Sequence, residues 1–567
     1  MSHFPTLLWQ GFFCRLFSAF LERLYILTDS DYDLSDLYSA KGYVVSSLLE
    51  NRLAKIINIQ AVGALQSSAI GLEKECLRVN SEGKISQSVH PAKLGSALTH
   101  PYITTDYSEA LLELITPPRE SIDEALDLLC RTQKFVYDNL EDELLWSSSM
   151  PCVVAGETSI PLANYGASNS GQMKHIYRRG LGYRYGRVMQ VIAGVHFNFS
   201  FSDQFLSAYQ EIEENKESPQ SFISESYFSL LRNLQRFGWV VPYLFGASPA
   251  ICKSFLNGQD TPLEAFNENT FYHPYATSLR MGDIGYQNNK ENEMGVVANY
   301  NSLNEYVNSL RYATETPCPD YEKIGVKVDG SYRQLNANIL QIENEYYSTV
   351  RPKQILMGNE KPSLALARRG VRYVELRSLD VNPFSPLGVD QSQLYFLRAF
   401  MLYCYLIESP PILRNEEKAI DANEISVAHH GRSPDLCISI RGKLLNMRQQ
   451  GLELCDAMQG CCEVLDEGLD SKPYAAALLL QHEKFKDPDA TPSAMMLEEM
   501  NKNGEGFFHI AKRLSGQHLN YFRNLELDSD IEMQFRKLSE KSQRQQADLE
   551  NSEKQSFDEY LRAYFAQ

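Results

Sequence analysis

The stretch Ile70–Val79, IGLEKECLRV, decides how the rest of the chain is read. Its apolar residues mark a strand, yet the two-residue strand period puts Glu73 and Glu75 on one face with Leu77 and Val79. Two carboxylates on an enclosed face repel each other and lose hydration. Such a face calls for a protonated acid, a cationic partner or a divalent metal. The pattern recurs further along. Glu113 sits in LLELIT, with Asp106 upstream in TTDYSE. Glu375 sits in RYVELRSLD, where Tyr373 and Arg377 share its face, and Glu343 and Glu345 repeat the spacing in IENE. In VIAGVHFNFS, Val195, Phe197 and Phe199 take one face and His196, Asn198 and Ser200 the other. Oxygen-rich sites with one imidazole suit Mg²⁺ or Mn²⁺ rather than zinc.

Taken singly, each feature has an ordinary explanation. One Glu on a strand is the solvent face of an antiparallel sheet, and a lone strand histidine is a satisfied structural residue. Tyr177, Tyr286 and Tyr347 read as amphipathic rings, and Arg178, Arg280 and Arg377 as surface ion-pair partners of little energetic weight. Only their convergence changes the reading, to a divalent-metal site with arginines suited to phosphate or carboxylate chemistry. No GxxxxGK[ST] loop, GxGxxG fingerprint or GxSxG elbow is present. A nucleotide would therefore be bound without a Walker loop.

Around this pattern lies a chain of 567 residues, 43% hydrophobic and 11% aromatic, with a net charge of −18. Its length allows about four domains, or one large α/β or α+β body with a helical appendage. The composition is too apolar for general disorder, and the acidity without a basic run excludes a nucleic-acid binder. The eleven cysteines are scattered with no CxxC pair, which predicts reduced thiols and a cytoplasmic location. Residues 4–27 are apolar, but Arg15, Glu22 and Arg23 interrupt the run, so neither a membrane span nor a signal peptide is expected.

Three zones follow. Residues 1–46 pair an apolar start with an acidic stretch and hold no candidate site residue. Residues 47–388 mix short strand signals, LNANILQIEN among them, with helices near 121–142 and 222–237. Gly238–Cys252 reads as a buried strand-turn core. Residues 389–567 turn to helical period, opening with QLYFLRAFMLYCYLIES and closing with a solvated helix over 529–566. The expected division is an N-terminal extension, an α+β catalytic body and a helical C-terminal part packed on it.

Longer runs carry a resemblance. GLEKECLRVN (71–80), HPAKLGSALTHPYITTDYSEALLELITP (90–117), YGASNSGQMKHIYRRGLGYRYG (165–186) and GVHFNFS (194–200) resemble the bacterial glutamate–cysteine ligases. So do GWVVPYLFGASPAIC (238–252), YATSLRMGDIGY (275–286), LQIENEYY (340–347), VRPK (350–353) and YVELRSLDVNPFSP (373–386). The resemblance runs from about residue 47 and thins in the helical tail. It implies a fold like the catalytic domain of glutamine synthetase, a curved, mostly antiparallel sheet forming a funnel whose inner face carries the acids.

Position by position, the resemblance implies that Glu73, Glu75, Asp106, Glu113, His196 and Glu375 hold Mg²⁺, or Mn²⁺ in its place, around the phosphates of ATP. Arg377 would contact the transferring phosphoryl group, with Arg178 a second positive charge. Tyr107, Tyr177, Leu181 and Ile192 would line a cysteine pocket, Tyr107 standing where the family pattern has Phe. Arg280, Tyr286 and Tyr347 would hold a substrate carboxylate. The implied activity joins the γ-carboxylate of L-glutamate to the amine of L-cysteine through a γ-glutamyl phosphate, the first step of glutathione biosynthesis. The alternatives are a γ-glutamyl ligase with another amine acceptor and a non-catalytic ligand-binding relative. The partners expected are these small molecules, with no nucleic acid and no integral membrane segment, and the chain is expected to be a monomer.

Overall fold

The IGLEKECLRV stretch forms the central strand of the main sheet. A computed structural model describes residues 47–151, 153–285 and 296–567; the expectations for residues 1–46 and Tyr286 lie outside them. Strands β1 (Ala69–Asn80), β2 (Ile103–Thr105), β3 (Leu111–Ile115), β4 (Glu143–Leu145), β5 (Val195–Ser200), β6 (Val350–Lys353) and β7 (Tyr373–Leu379) make one seven-stranded sheet. Its order is β6-β7-β5-β1-β3-β2, with β4 pairing the far end of β1, and every pairing is antiparallel. Residues 48–567 form one compact unit.

One sheet face is apolar because alternate strand positions are. Val195, Phe197, Phe199, Leu72, Leu112, Leu114, Val374 and Leu376 are each at most 1% exposed. Helices α1 (Ile122–Asn139), α2 (Asn169–Tyr185), α3 (Pro219–Phe237), α4 (Gln391–Leu406) and α5 (Arg414–His430) follow in chain order. Ser121, Ser168 and Ser218 cap the first three by accepting a backbone N–H of the first turn, and Asp390 with Gln393 forms a capping box on α4. Helix α4 is buried on every side from Phe396 to Leu406, so it is a central pillar of the helical layer, packed on α1 and α3. The helical 389–567 region also contains a hairpin, Cys437–Ile440 with Lys443–Asn446.

Three expectations change. Val240–Phe245 is a short buried helix, because Pro242 falls in its first turn, where no intrahelical N–H is needed; strand structure is confined to Ala250–Cys252. LNANILQIEN is irregular, with one bridge from Asn338 to Pro317 and a 3₁₀ turn over Glu343–Glu345. The 529–566 segment is two helices, α6 (Ser529–Ser552) and α7 (Phe557–Phe565). A Ser556–Glu559 capping box restarts the chain, and α7 buries Tyr560, Leu561 and Tyr564 beside Met173 and Ile176 of α2. None of the nine described cysteines is in a disulfide. No helix among the described residues is long and apolar enough to cross a membrane.

Candidate active site

The polar face of the sheet gathers acids from three strands and a histidine from a fourth. Register sets Glu73 of β1 opposite His196 of β5, Glu75 opposite Glu113 of β3, and Glu375 of β7 opposite Asn198 of β5. Directly paired residues point to the same side, with Cβ atoms about 5 Å apart, so these side chains converge. His196 Nδ1 lies 3.1 Å from Glu73 Oε2 and 3.8 Å from Glu375 Oε1, and its Nε2 is 3.7 Å from Glu75 Oε1. The Asn198 amide donates to Glu73 Oε1 at 2.8 Å, and the Gly194 N–H to Glu75 Oε2 at 2.6 Å. Glu73, Glu113 and His196 each offer a ligand atom within 4.8 Å of the others. Asp106, just beyond β2, stays 44% exposed at the rim, 3.8 Å from Arg178 Nη2.

Burial pushes the Glu113 carboxyl well above the usual range, and Glu73, Asp106 and Glu75 add to the rise. It accepts no hydrogen bond among the described residues. Burial also raises Glu75, against the pull of His196. Glu375 behaves oppositely: burial would raise it, but Lys353, Arg377, His196 and Arg351 together hold it well below the carboxylate range. Lys353 Nζ is 3.1 Å and Arg377 Nη1 3.3 Å from Glu375 Oε2, yet that buried oxygen has no well-aligned hydrogen bond. Carboxylates with one imidazole, an under-satisfied buried oxygen and one carboxyl without a donor form a set that fits a hard divalent cation such as Mg²⁺ or Mn²⁺.

The arginines and tyrosines lie around this cluster. Arg178 Nε donates to the Asp106 carbonyl at 2.5 Å, and its guanidinium stacks on Tyr165 at 4.7 Å. Arg280 Nη1 and the Tyr347 hydroxyl both donate to Met281 Sδ, at 3.2 and 3.6 Å, so these two are brought together. Arg280 Nη2 donates to the Arg377 carbonyl at 2.8 Å. The guanidinium lies against Gly194, where a Cβ would come within 2.1 Å of Nη2, so a side chain there would displace the guanidinium. Tyr177 and Leu181 are one turn apart on α2. Tyr107 is 1% exposed, and a Cβ at Gly182 would lie 2.7 Å from its hydroxyl, which has no hydrogen-bond partner among the described residues. Ile192 is half-buried at the end of the 3₁₀ turn Val188–Val191.

Two acids singled out by spacing do not join the site. Glu343 accepts the Ser363 N–H at 2.7 Å and its hydroxyl, while Glu345 pairs with Arg184 at 2.8 Å, both side chains fully buried. Conversely, Lys353 joins the site through Glu375 although its spacing does not single it out. The signal available was Arg351 and Lys353 on one face of a short strand, an uncommon pair of cations opposite an acidic strand. Asp380, at the end of β7, gave no such signal.

A sequence model of the glutamate–cysteine ligase family matches residues 53–427. The glutamate–cysteine ligase of Alcanivorax borkumensis is 45% identical over 522 residues, 91% of this chain and 99% of that one. That of Pseudomonas paraeruginosa is also 45% identical, over 92% and 98%. The crystal structure of glutamate–cysteine ligase from Francisella tularensis, in complex with AMP, superposes with a TM-score of 0.83 at 36% identity, covering 88% of this chain and 98% of its own. With sheet, acids and arginines arranged as above and matches spanning most of its length, the chain belongs to the glutamate–cysteine ligase family, a ligase of glutathione biosynthesis.

Proposed function

We propose that the chain uses ATP to phosphorylate the γ-carboxylate of L-glutamate and then joins that carbonyl to the amine of L-cysteine, releasing ADP and phosphate. The observation that carries this reading is the convergence of Glu73, Glu113 and His196, with Glu75 and Glu375, on one sheet face beside Arg377 and Lys353. Mg²⁺ held by these residues would neutralise the triphosphate and polarise its γ-phosphorus. The AMP in the Francisella relative supports an adenine nucleotide as the ligand here.

The chain's own groups supply alignment and charge, not a nucleophile. Arg377, beside Glu375, meets the charge that develops on the phosphoryl oxygens during transfer. Arg178, fixed by the Asp106 carbonyl, adds a second positive charge at the rim. Arg280 and Tyr347, converging at Met281, present donors to an amino-acid carboxylate. The acceptor amine then forms the C–N bond as the C–O bond to phosphate breaks, and the amine gives up a proton. Tyr107, Tyr177, Leu181 and Ile192 bound the side-chain pocket for cysteine, small molecules being the only partners required.

The test is formation of γ-glutamylcysteine that depends on ATP, glutamate, cysteine and Mg²⁺ together. Phosphate release with cysteine, 2-aminobutyrate and ethylamine then sorts the acceptor. Preference for cysteine supports the reading, whereas equal use of ethylamine means that the acceptor's carboxylate is not recognised. No turnover with any acceptor overturns the ligase mechanism.

A further inference from the structure

Arg280 is aimed by a carboxylate outside the acid cluster. Asp380 leaves β7 immediately after Leu379, and its side chain is fully shielded from solvent. Its Oδ2 accepts the Ala247 N–H at 2.9 Å and its Oδ1 the Ser278 hydroxyl at 2.9 Å. Oδ1 also lies 3.6 Å from Arg280 Nη1, beyond hydrogen-bond length but strongly attractive where water is excluded.

Asp380 thus ties three segments together: the turn at Ala247, the loop of Ser278 and Arg280, and the strand that carries Glu375 and Arg377. Helix α5 holds the same loop from the other side. Thr277 and Ser278 donate their N–H groups to the Ala428 carbonyl at 2.9 and 3.2 Å, and His429 Nε2 is 2.7 Å from Asp283 Oδ1. The loop backbone therefore has its own anchors. What Asp380 adds is charge at the guanidinium and a tether two residues before it, so a side chain with many rotamers is held in one direction.

We propose that Asp380 is the positioning residue that aims the Arg280 guanidinium at the substrate carboxylate, setting amino-acid affinity without touching substrate. This rests on the reading of Arg280 as the carboxylate-binding group. A merely structural Asp380 would affect folding or kcat and act independently of Arg280. A positioning Asp380 acts through Arg280, so the two effects are not additive.

The test uses the full chain carrying Asp380→Asn, Arg280→Ala or both, with KM and kcat measured for glutamate and cysteine and Tm recorded. Arg280→Ala is expected to raise one amino-acid KM by about tenfold. Asp380→Asn should raise the same KM by about fivefold with kcat within about twofold, and add less than about twofold in the Arg280→Ala background. If Asp380→Asn does not fold, Ser278→Ala cuts the tether and leaves the carboxylate buried. It should raise the same KM by about two- to threefold, again only when Arg280 is present. Unchanged KM in Asp380→Asn or Ser278→Ala, or fully additive effects, overturn the proposal while a raised KM in Arg280→Ala leaves its parent reading intact. Unchanged KM values in Arg280→Ala overturn both.

Discussion

Two pairs of glutamates share one spacing and meet opposite fates. Glu73 and Glu75 flank Lys74, and Glu343 and Glu345 flank Asn344, so as sequence the pairs are near equivalents. Glu345 accepts hydrogen bonds from Arg184, Tyr185, and both the backbone and side-chain N–H of Gln341, at 2.7–3.1 Å. Glu343 is satisfied by Ser363. On the sheet face, Glu73 has Asn198 and His196, while Glu113 accepts no hydrogen bond among the described residues. Carboxylates matched singly to their own donors are structural; carboxylates crowded onto one face, with Glu113 lacking a donor, are poised for a cation. The difference lies in what tertiary structure brings to each oxygen, not in spacing.

The first expected effect, on rate, separates the pairs by activity. Glu73→Gln or Glu375→Gln keeps size but removes a metal-ligating charge. We expect kcat to fall about 100-fold, roughly 2.7 kcal/mol of transition-state stabilisation. Steady-state turnover at saturating Mg²⁺, with Glu345→Gln as the comparison at a temperature where all three variants are folded, reads this directly. If all three variants lose activity alike, the two pairs do not differ as argued.

Glu345→Gln should separate them by stability. It breaks an ion pair whose two side chains are fully buried, leaving Arg184 without its charge partner, although Tyr321 still lies 4.1 Å below the guanidinium. A loss of about 3–5 kcal/mol is expected, seen as a lower urea midpoint. A midpoint equal to that of the unmodified chain would mean that the pair is not needed for the fold.

A smaller and opposite effect is expected at Glu113. Its pKa in the folded chain is raised by burial first and by Glu73, Asp106 and Glu75 next. A carboxyl raised in this way costs stability once pH exceeds its unfolded value, and the cost grows until pH passes the folded one. Glu113→Gln should therefore raise Tm in Mg²⁺-free buffer by on the order of a degree or two at neutral to alkaline pH. The gain should vanish as pH falls below about 4.3, where the unfolded carboxyl is also protonated. Thermal scans against pH check this, and a lowered Tm at pH 8 would mean that Glu113 is stabilised by contacts not accounted for.

The same contrast explains what was legible in the sequence. Glu73, Glu75, Glu113, His196 and Glu375 stand out because they interrupt strands whose other faces are mostly apolar, and strand period fixes their side. Glu343 and Glu345 repeat the spacing without a local sign of their fate, because the 3₁₀ turn that holds them depends on Ser363 and Arg184, distant in sequence. Asp380 lies in irregular chain just after a strand, and nothing local distinguishes it from a surface acid. Its role exists only once Ser278, Arg280 and Ala247 arrive. Val240–Phe245 was ambiguous for a related reason: a short, wholly apolar run fits a buried strand or helix equally. The break before α7 was marked by Ser556 and Glu559, a capping box hidden in a long charged segment.

The central claim is that the sheet-face acids hold a divalent cation. Mn²⁺ binding, followed by electron paramagnetic resonance in the presence of ADP, tests it most directly on the unmodified chain, Glu73→Gln and Glu345→Gln. The account predicts bound Mn²⁺ for the unmodified chain and Glu345→Gln, with affinity weakened at least about tenfold in Glu73→Gln. Equal affinity in all three would contradict it and leave the acids as a polar sheet face.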